Sequence, residues 1–582
     1  MHRLDDIAAA IRRDTLDTLT AIGHEHRGHP GASLSIVEIV TALYFEVMRV
    51  DPAMPCDPDR DRFVLSKGHG CMALYAALAR RGYFDPAHLA TFRHVDSLLQ
   101  GHPDMRKTPG VDMTSGSLGH GLSAAVGMAL DARMRRSPSV TYVLVGDGEL
   151  QEGLIWEGAM AAAKYGLDRL VAIVDCNGLQ SGGRVADIMP LDPIDRRWQA
   201  FGWNTLEVDG HDLDALVVAL RSLVDGRPTV ILARTVKGKG DARMEGNNRW
   251  HQACPGPRAP SRTPDERGRR LASTRVAFGE AVVELWREGR PLAVVTSDTT
   301  ASMGLDGFAA VAPGLHVEVG IAEQNLITVA AGLAAQGRTV IAATYAAFAS
   351  LRTLEQIRTF VAYPNHRVII AAGLGGLSSG IEGVAHLGLE DIGILRTVPG
   401  LVIMNPADAV ATSTMVRSAI EHGGPVYLRL GRDDSPVLFE DGYEFTIGRG
   451  RVLSEHGWDV ALITSGPIAT EVVDALDVLA SEGVRGVAIE LPTLKPVDRD
   501  LIVGARRRAR HLFTVEEHSS IGGVGSAVAD VLSETVPGIV HRIAVGDRFL
   551  ESGSPAELRV KYGLTAEAIA ARILRVTTGV RS

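Results

Sequence analysis

Short apolar runs alternate with helical patterns along the first 240 residues. Strand-like runs occur at 139–146 (SVTYVLVG), 169–175 (RLVAIVD) and 228–235 (PTVILART), and an amphipathic helix is predicted over Gln151 to Tyr165. Such alternation predicts βαβ units on a parallel sheet that is covered on both faces. Ligands of such sheets bind at the carboxyl ends of the strands.

The same pattern returns twice. The second block holds four strand-like runs and a helix over Asn325 to Gln336, and a third begins near residue 441. Between the first two blocks, residues 254–270 are rich in proline and charge and lack periodicity, which is typical of a linker. We therefore predict an α/β protein of three α/β domains. Their limits are 1–255 and 271–438 for two doubly wound parallel-sheet domains, 256–270 for a linker, and 439–582 for a smaller C-terminal domain.

Composition narrows the class of protein. The chain has 582 residues, 46% of them hydrophobic and 22% charged, and a net charge of −9 without long charged runs, so we expect no nucleic-acid partner. Its four cysteines lack CxxC spacing, and no apolar run is long enough for a membrane span. The N-terminus is charged and amphipathic rather than a signal core. We predict a cytoplasmic protein with free thiols and no membrane association.

Two strand ends carry candidate metal ligands. Asp147 lies in GDG and Asn177 in DCNG, thirty residues later, which is about the length of one βαβ unit. The two side chains therefore fall at one edge of the sheet if their strands are neighbours. Their oxygens suit Mg²⁺ or Ca²⁺, especially beside phosphate oxygens. Each tip alone is equally compatible with a simple turn.

Glycine-rich loops and histidines add further candidates. The loop that begins TSGSLGHG at Thr114 leads into a small-residue helix, so its backbone could touch a ligand or could serve close helix packing. His29, His69 and His102 each lie next to a glycine. A single histidine of this kind is more often solvent-facing, but three in one predicted domain favour a site.

These motifs together resemble the transketolase family. GDGELQEGLIWEG with DCNGLQ is similar to the thiamine diphosphate motif. The other motifs occur along the chain in the same order as in the family: GHPGASLS, LSKGHG, TSGSLGHGLS and GIAEQNL. The resemblance spans essentially the whole chain. The compact first domain and the C-terminal end are similar to transketolases whose two halves are encoded separately, here joined in one chain.

The resemblance implies thiamine diphosphate bound between the first domain of one subunit and the second domain of another, hence a homodimer with interfacial active sites. Asp147, Asn177 and the main-chain carbonyl of Leu179 would bind the metal. The cofactor contacts would come from His69, Gly116, Leu118, Gly148, His251, Asp298, Glu323, Tyr345 and Phe348, and Glu152 would connect the two sites of the dimer.

Glu323 is the implied partner of a pyrimidine nitrogen. Its sequence neighbours are mostly apolar, so burial without a cation would favour the protonated acid, the form that can share a proton. The alternative is a carboxylate that stabilises a helix N-terminus.

On the substrate side the resemblance implies that histidines move protons and hold hydroxyls, for which imidazole is suited near neutral pH. These are His29, His69, His102, His251 and His386. Arg275, Ser302 and Arg432 would bind a sugar phosphate, because arginine matches phosphate oxygens. Without the motif, both arginines could equally be surface charges.

Two positions depart from the family pattern. Glu382 in GIEG replaces an aspartate that reads a donor hydroxyl, and Leu374 replaces a histidine at the phosphate end. An apolar group cannot replace a hydrogen bond to phosphate, so Leu374 predicts a lower preference for phosphorylated sugars.

The predicted reaction is transfer of a two-carbon ketol unit from a ketose to an aldose through a dihydroxyethyl adduct of the cofactor, with sugars or sugar phosphates as substrates. The two departures favour a specialised enzyme whose acceptor or donor differs from the usual pentose phosphates. Another thiamine diphosphate enzyme, such as a deoxyxylulose phosphate synthase or a 2-oxo acid decarboxylase component, remains an alternative. So does a non-catalytic family member that acts as a binding subunit.

Overall fold

A computed structural model describes residues 2–255, 264–265 and 267–578. Three α/β regions are built on three main sheets, as the apolar pattern predicts. Most of the predicted linker lies outside the described residues. Among the described helices, none combines the length and apolarity that a bilayer crossing needs. No disulfide joins the four cysteines, and Cys56 is exposed.

The first domain holds a parallel sheet in the order β1-β2-β3-β5-β4. Along β2, Tyr142 and Leu144 pack into one apolar cluster and Val143 and Val145 into another, so helices cover both faces. The strands are β1 Arg62–Leu65, β2 Thr141–Gly146, β3 Leu170–Cys176, β4 Asn204–Asp209 and β5 Thr229–Arg234. The helices are α1 His2–Ala21, α2 Pro30–Leu34, α3 Val37–Ala42, α4 Cys71–Arg81, α5 His120–Arg135, α6 Gly153–Lys164, α7 Val185–Ile188, α8 Ile194–Ala200 and α9 Leu213–Arg221.

The second domain repeats this architecture with a larger sheet and a separate two-stranded one. The strands are β6 Leu271–Ser273, β7 Leu292–Thr296, β8 His316–Glu318, β9 Thr339–Tyr345, β10 Val368–Gly373, β11 Val402–Met404, β12 Val426–Arg429 and β13 Asp434–Pro436. The helices are α10 Thr274–Arg287, α11 Asp306–Val311, α12 Glu323–Ala335, α13 Leu354–Gln356, α14 Asp391–Leu395 and α15 Ala409–His422.

The third domain has a five-stranded sheet in the order β14-β16-β15-β18-β19, in which β14 is antiparallel. The strands are β14 Arg451–Glu455, β15 Val460–Thr464, β16 Gly486–Glu490, β17 Thr493–Lys495, β18 His511–Val515 and β19 Val540–Ile543. The helices are α16 Ala469–Ser481, α17 Arg499–Arg508, α18 Val524–Ser533, α19 Pro555–Tyr562 and α20 Ala566–Thr577.

The second and third domains share a sheet and a core. Strand β17 pairs antiparallel with β11 and so completes the sheet order β17-β11-β12-β10-β9-β7-β8. One apolar cluster contains Val295 and Ile370 of the second domain together with Ala461 and Ile489 of the third. These two domains therefore pack as one body, with a strand of the predicted third domain in the second domain's sheet.

Candidate active site

A cavity of about 400 Å³ lies where the first two domains face each other. Every predicted site residue except Glu152 lines it. The first domain contributes His29, His69, His102, Gly116, Leu118, Asp147, Gly148, Asn177, Leu179 and His251, and the second Arg275, Asp298, Ser302, Glu323, Tyr345, Phe348, Glu382, His386 and Arg432. Glu152 pairs with Arg352, which itself lines the cavity.

The candidate metal ligands meet at one edge of the first sheet, as the spacing predicts. Asp147 follows β2 and Asn177 follows β3, and these strands are parallel neighbours. The Asp147 carboxylate accepts hydrogen bonds from the backbone N–H groups of Gly148 at 2.8 Å and Gly178 at 2.6 Å. Asn177 Oδ1 accepts one from the Leu179 N–H at 3.0 Å. These bonds fix the two loops relative to each other.

Two buried lysines, missed by the sequence analysis, give this end positive charge. Lys67 forms an ion pair with Asp175. Lys237 Nζ donates to the Leu179 carbonyl at 3.2 Å and lies 3.0 Å from His251 Nδ1. Burial lowers the pKa of Lys237 to about 8, so the ammonium would gain from an anionic partner.

The residues present fit Mg²⁺ and a diphosphate. Burial, and then the nearby Asp175, raise the pKa of Asp147 to about 6, so a divalent cation would stabilise its ionised form. The carboxylate, the Asn177 amide and the Leu179 carbonyl are hard oxygen donors of the kind Mg²⁺ takes. Gly116 has φ +125°, and a Cβ there would lie 2.9 Å from the His102 ring. Any side chain at position 116 would therefore clash with His102, and glycine leaves the backbone of this cavity wall accessible to a ligand.

Contrary to the sequence-based expectation, a cation contacts Glu323. Arg352 Nη1 forms ion pairs with Glu323 and, at 2.6 Å, with Glu152. The Arg352 guanidinium also lies 4.7 Å from the centre of the Phe348 ring. The residues next to Glu323 in sequence do not indicate this cation, because Arg352 lies 29 positions further along the chain.

One arginine faces two carboxyls here, so the charge is unbalanced. Burial, and then the charge of Glu323, raise the pKa of Glu152 to about 9. Glu152 therefore holds a proton at neutral pH. The predicted proton is one that Glu323 would share with a pyrimidine nitrogen, and it stays a prediction; the raised pKa here belongs to the neighbouring Glu152.

Aromatic side chains form part of the cavity wall close to Glu323. The Phe348 ring centre lies 5.2 Å from that of His386 and 5.8 Å from that of Tyr345. The Tyr345 hydroxyl donates to Ser302 Oγ at 2.9 Å. Phe348 thus presents an apolar surface near Glu323, which fits the predicted stacking on a pyrimidine ring.

Asp298 of the second domain contacts the loop that follows β3 in the first domain, which also carries Asn177. Its carboxylate accepts hydrogen bonds from the backbone N–H groups of Ser181 at 3.0 Å and Gly182 at 2.6 Å. Burial raises its pKa to about 7. Asp298, which was predicted to lie near the cofactor, therefore forms a contact between the two domains.

Five histidines line the cavity; His29 and His102 are buried, and His69, His251 and His386 are half-buried. The ring centre of His29 lies 5.5 Å from that of His69 and 5.6 Å from that of His251, and His102 stacks on His386 at 4.7 Å. Burial is the main cause that lowers the pKa of each ring, to about 3 for His386. All five imidazoles are therefore neutral near pH 7.

Their hydrogen-bond partners define two kinds of neutral ring. His29 Nδ1 lies 3.3 Å from an Arg93 nitrogen and His251 Nδ1 3.0 Å from Lys237 Nζ, and both partners only donate. These two rings therefore carry their proton on Nε2. His102 Nδ1 instead donates to the Glu382 carbonyl at 2.9 Å, which leaves its Nε2 as an acceptor.

Glu382 is engaged by positively charged groups. Its carboxylate forms ion pairs with Arg93 at 2.8 Å and Arg432 at 3.1 Å, and it accepts a hydrogen bond from Gln252. Burial alone would raise the pKa of Glu382, but Arg93, with smaller contributions from other groups, holds it well below its usual range. Arg432, predicted to bind a sugar phosphate, is thus partly neutralised by the residue that departs from the family pattern.

Further arginines surround the same end. Arg27, which the sequence analysis missed, and Arg275 line the cavity, and each has a buried Nε without a hydrogen-bond partner. Burial and the charge of Arg432 lower the pKa of Arg27 to about 10. Leu374 lines the cavity at φ +64°. Arg27 also forms an ion pair with Asp433 at 3.8 Å, so Glu382 and Asp433 together balance part of the arginine charge at this end, which also holds one apolar side chain.

Comparison with known proteins agrees with this geometry. Three family models match the chain: the transketolase thiamine diphosphate binding domain at residues 5–263, the transketolase pyrimidine binding domain at 271–436 and the transketolase C-terminal domain at 448–569. The cavity lies between the first two of these domains and is lined by oxygen ligands, lysines and a buried glutamate. The family models and this lining together place the chain in the class of thiamine diphosphate-binding proteins.

Related proteins match over almost the full length. The chain is 33% identical to human transketolase over 99% of this chain and 98% of the relative, and 33% identical to mouse transketolase-like protein 2 over 98% of this chain and 96% of that protein. A solved structure of a split-gene transketolase, an inactive beta4 tetramer, is 40% identical over 53% of this chain and 99% of that chain, with a TM-score of 0.50. The chain belongs to the transketolase family.

Proposed function

We propose that the protein transfers a two-carbon ketol unit from a ketose donor to an aldose acceptor, with thiamine diphosphate and Mg²⁺. One observation carries the proposal: a single cavity joins the oxygen ligands and lysines at one end to Glu323 and Phe348, and continues past five neutral histidines to an arginine-rich end. A decarboxylase acting on a small 2-oxo acid has no use for such a histidine-lined, positively charged extension.

The chain's residues would hold the cofactor at three places. Asp147, Asn177 and the Leu179 carbonyl would bind Mg²⁺, and Lys237 would neutralise the diphosphate. Glu323, buried at the start of α12, would share a proton with the pyrimidine. When bound, thiamine diphosphate supplies a carbon nucleophile and an electron sink for the ketol carbanion.

The histidine tautomers give the rings different tasks. His102 Nε2, the free acceptor, takes the hydroxyl proton of the ketose donor. His29 and His251 carry hydrogen on Nε2 and donate hydrogen bonds to the carbonyl oxygen of the aldose acceptor, and His102 returns its proton to that oxygen when the new bond forms. Imidazole suits this relay because it takes a proton near neutral pH and gives the same proton back, so no ring has to become an imidazolate.

The arginine-rich end would bind an anionic group at the far end of the acceptor. Arg27 and Arg275 retain unpaired donors, and Glu382 neutralises only part of the surrounding charge. Arginine forks match phosphate and carboxylate oxygens. This positive charge opposes the effect predicted for Leu374, and we propose that it outweighs the loss of one neutral donor.

A ketol-transfer assay tests the reaction. Hydroxypyruvate would serve as an irreversible donor, against aldoses matched in length with and without a terminal phosphate. We expect turnover that requires thiamine diphosphate, is lost with EDTA, and is led by the phosphorylated aldose. Carbon dioxide release from pyruvate without an aldose would identify a decarboxylase instead, and failure to bind the cofactor would support a non-catalytic subunit.

We also propose the homodimer with shared sites that the family resemblance implies, although one chain here lines the whole cavity. Asp147→Asn and Glu323→Gln each inactivate one side of the cavity. If sites are shared, co-refolding the two variants yields mixed dimers with one intact site, and activity returns. If each site uses one chain, the mixture stays inactive whatever the oligomeric state.

A further inference from the structure

A second histidine cluster lies outside the cavity, where the first and third domains touch. His26 Nε2 is 3.0 Å from Glu557 Oε2, and His94 Nδ1 is 3.4 Å from Glu557 Oε1. Three donor atoms, one from each residue, lie within 4.8 Å of one another. The two histidines belong to the first domain, whereas Glu557 lies in α19 of the third.

We propose that His26, His94 and Glu557 bind one divalent transition-metal ion, best matched by Zn²⁺, that fastens the first domain to the third. Two imidazoles and one carboxylate, with water in the remaining position, are a ligand set that zinc takes in proteins. Nitrogen donors favour zinc and its transition-metal neighbours over Mg²⁺, which prefers oxygen.

The arrangement of the rings favours an ion over plain hydrogen bonds. The ring centres of His26 and His94 are 4.0 Å apart, and both rings direct a nitrogen at one carboxylate. The two ring nitrogens and the carboxylate oxygens thus converge on one point, where a shared cation would meet three ligand atoms and have its charge balanced in part by the carboxylate.

The surroundings provide orientation and access. The backbone N–H of Ser554 donates to Glu557 Oε2 at 2.7 Å, which fixes the carboxylate as outer-shell hydrogen bonds do in metal sites. His26 is 7% exposed, whereas the His94 and Glu557 side chains are 39% and 35% exposed. An ion can therefore enter from solvent and keep a water ligand.

The ion would act on the loop that supplies the cavity. His26 immediately precedes Arg27 and lies three residues before His29. Binding to a cluster that exists only when the domains are docked stabilises the docked state. We expect zinc to raise the unfolding temperature of the intact protein.

Equilibrium dialysis against Zn²⁺ tests the site on protein loaded with thiamine diphosphate and excess Mg²⁺. A Cys56→Ser background removes an exposed thiol that could bind zinc. We expect one zinc per chain in this background, and affinity lower by about 100-fold or more in His26→Ala, His94→Ala and Glu557→Gln, because even outer-shell changes cost about 10–100-fold. His88→Ala, an exposed histidine of the same domain, is the matched control.

Thermal unfolding gives an independent readout. The zinc-dependent rise should persist in His88→Ala and vanish in the three ligand variants. Glu557→Gln keeps the capping box at the start of α19, since glutamine serves there as well, so it remains informative if a histidine variant folds poorly. Equal zinc binding by the background and all three ligand variants would overturn the proposal and would place the zinc elsewhere, including at the cavity histidines.

Discussion

The two ends of the cavity contain buried ionic triads of opposite composition. At the cofactor end one arginine, Arg352, lies between Glu152 and Glu323. At the far end one glutamate, Glu382, lies between Arg93 and Arg432. The first triad has a surplus of carboxyl groups and the second a surplus of guanidinium groups.

The same kind of contact therefore serves different chemistry at each end. A carboxyl surplus in a buried place is relieved by binding a proton, and burial raises the pKa of Glu152 to about 9. A guanidinium surplus is not relieved in this way, because arginine does not lose its proton near neutral pH. It is relieved by an anionic ligand. Glu152 at the first end therefore holds a proton, and the arginines at the second end favour an anionic ligand.

The largest effect is expected from Glu323→Gln. Glutamine keeps the shape but cannot exchange a proton, so ketol transfer should fall by about 10²–10⁴-fold, the usual contribution of a positioned acid or base. Cofactor binding, followed by quenching of tryptophan fluorescence, should change little. The exposed Glu355→Gln on the following helix is the control. Loss of activity in step with loss of cofactor binding would argue for a binding role alone.

The far triad should show its charge through stability. Glu382→Gln leaves Arg93 and Arg432 buried without their carboxylate, and breaking a buried ion pair costs about 3–5 kcal/mol. Urea unfolding should reveal this loss. A high concentration of inorganic phosphate should restore part of it in the variant and have less effect on the wild type. A loss below about 1 kcal/mol would show that solvent already screens these arginines.

The near triad should show its charge through pH. Glu152 holds its proton up to about pH 9 when folded but loses it near its ordinary value when unfolded, so its contribution to stability falls as pH rises between those values. We expect the wild type to lose more stability than Glu152→Gln as the pH rises from 5 to 9, by about 1.4 kcal/mol for each pH unit over which only the folded state keeps the proton, since glutamine does not titrate. Parallel pH profiles of the cofactor-free proteins would contradict a protonated Glu152.

Much of the fold follows from local sequence. The run SVTYVLVG predicts β2 and RLVAIVD predicts β3, and because they are neighbours Asp147 and Asn177 meet. Strand β17 has three residues and joins the second domain's sheet, although its sequence neighbours form the third domain. Periodicity over so short a segment does not specify its sheet partner.

The site was predicted less evenly. Residues within recognisable motifs were predicted, but apart from Arg432 the cations that decide their charge were not. Lys67 lies inside LSKGHG and Lys237 follows β5 in RTVKGKG, so strand-end position was an available signal for both. Arg93 reaches Glu382 across 289 positions, and Arg352 reaches Glu152 across 200. Such pairings depend on domain docking, which local patterns do not contain.

The smallest effect concerns Leu374. Its φ of +64° is in the left-handed region, which histidine adopts more readily than leucine, so Leu374→His should not destabilise the fold. A hydrogen bond to a charged group contributes about 1.5–3 kcal/mol, so kcat/KM for a phosphorylated aldose should rise about tenfold or more. Leu374→Met, which adds no donor, is the control. Equal change for the unphosphorylated aldose would mean that position 374 does not contact the phosphate, and that the arginines alone set the charge preference at this end.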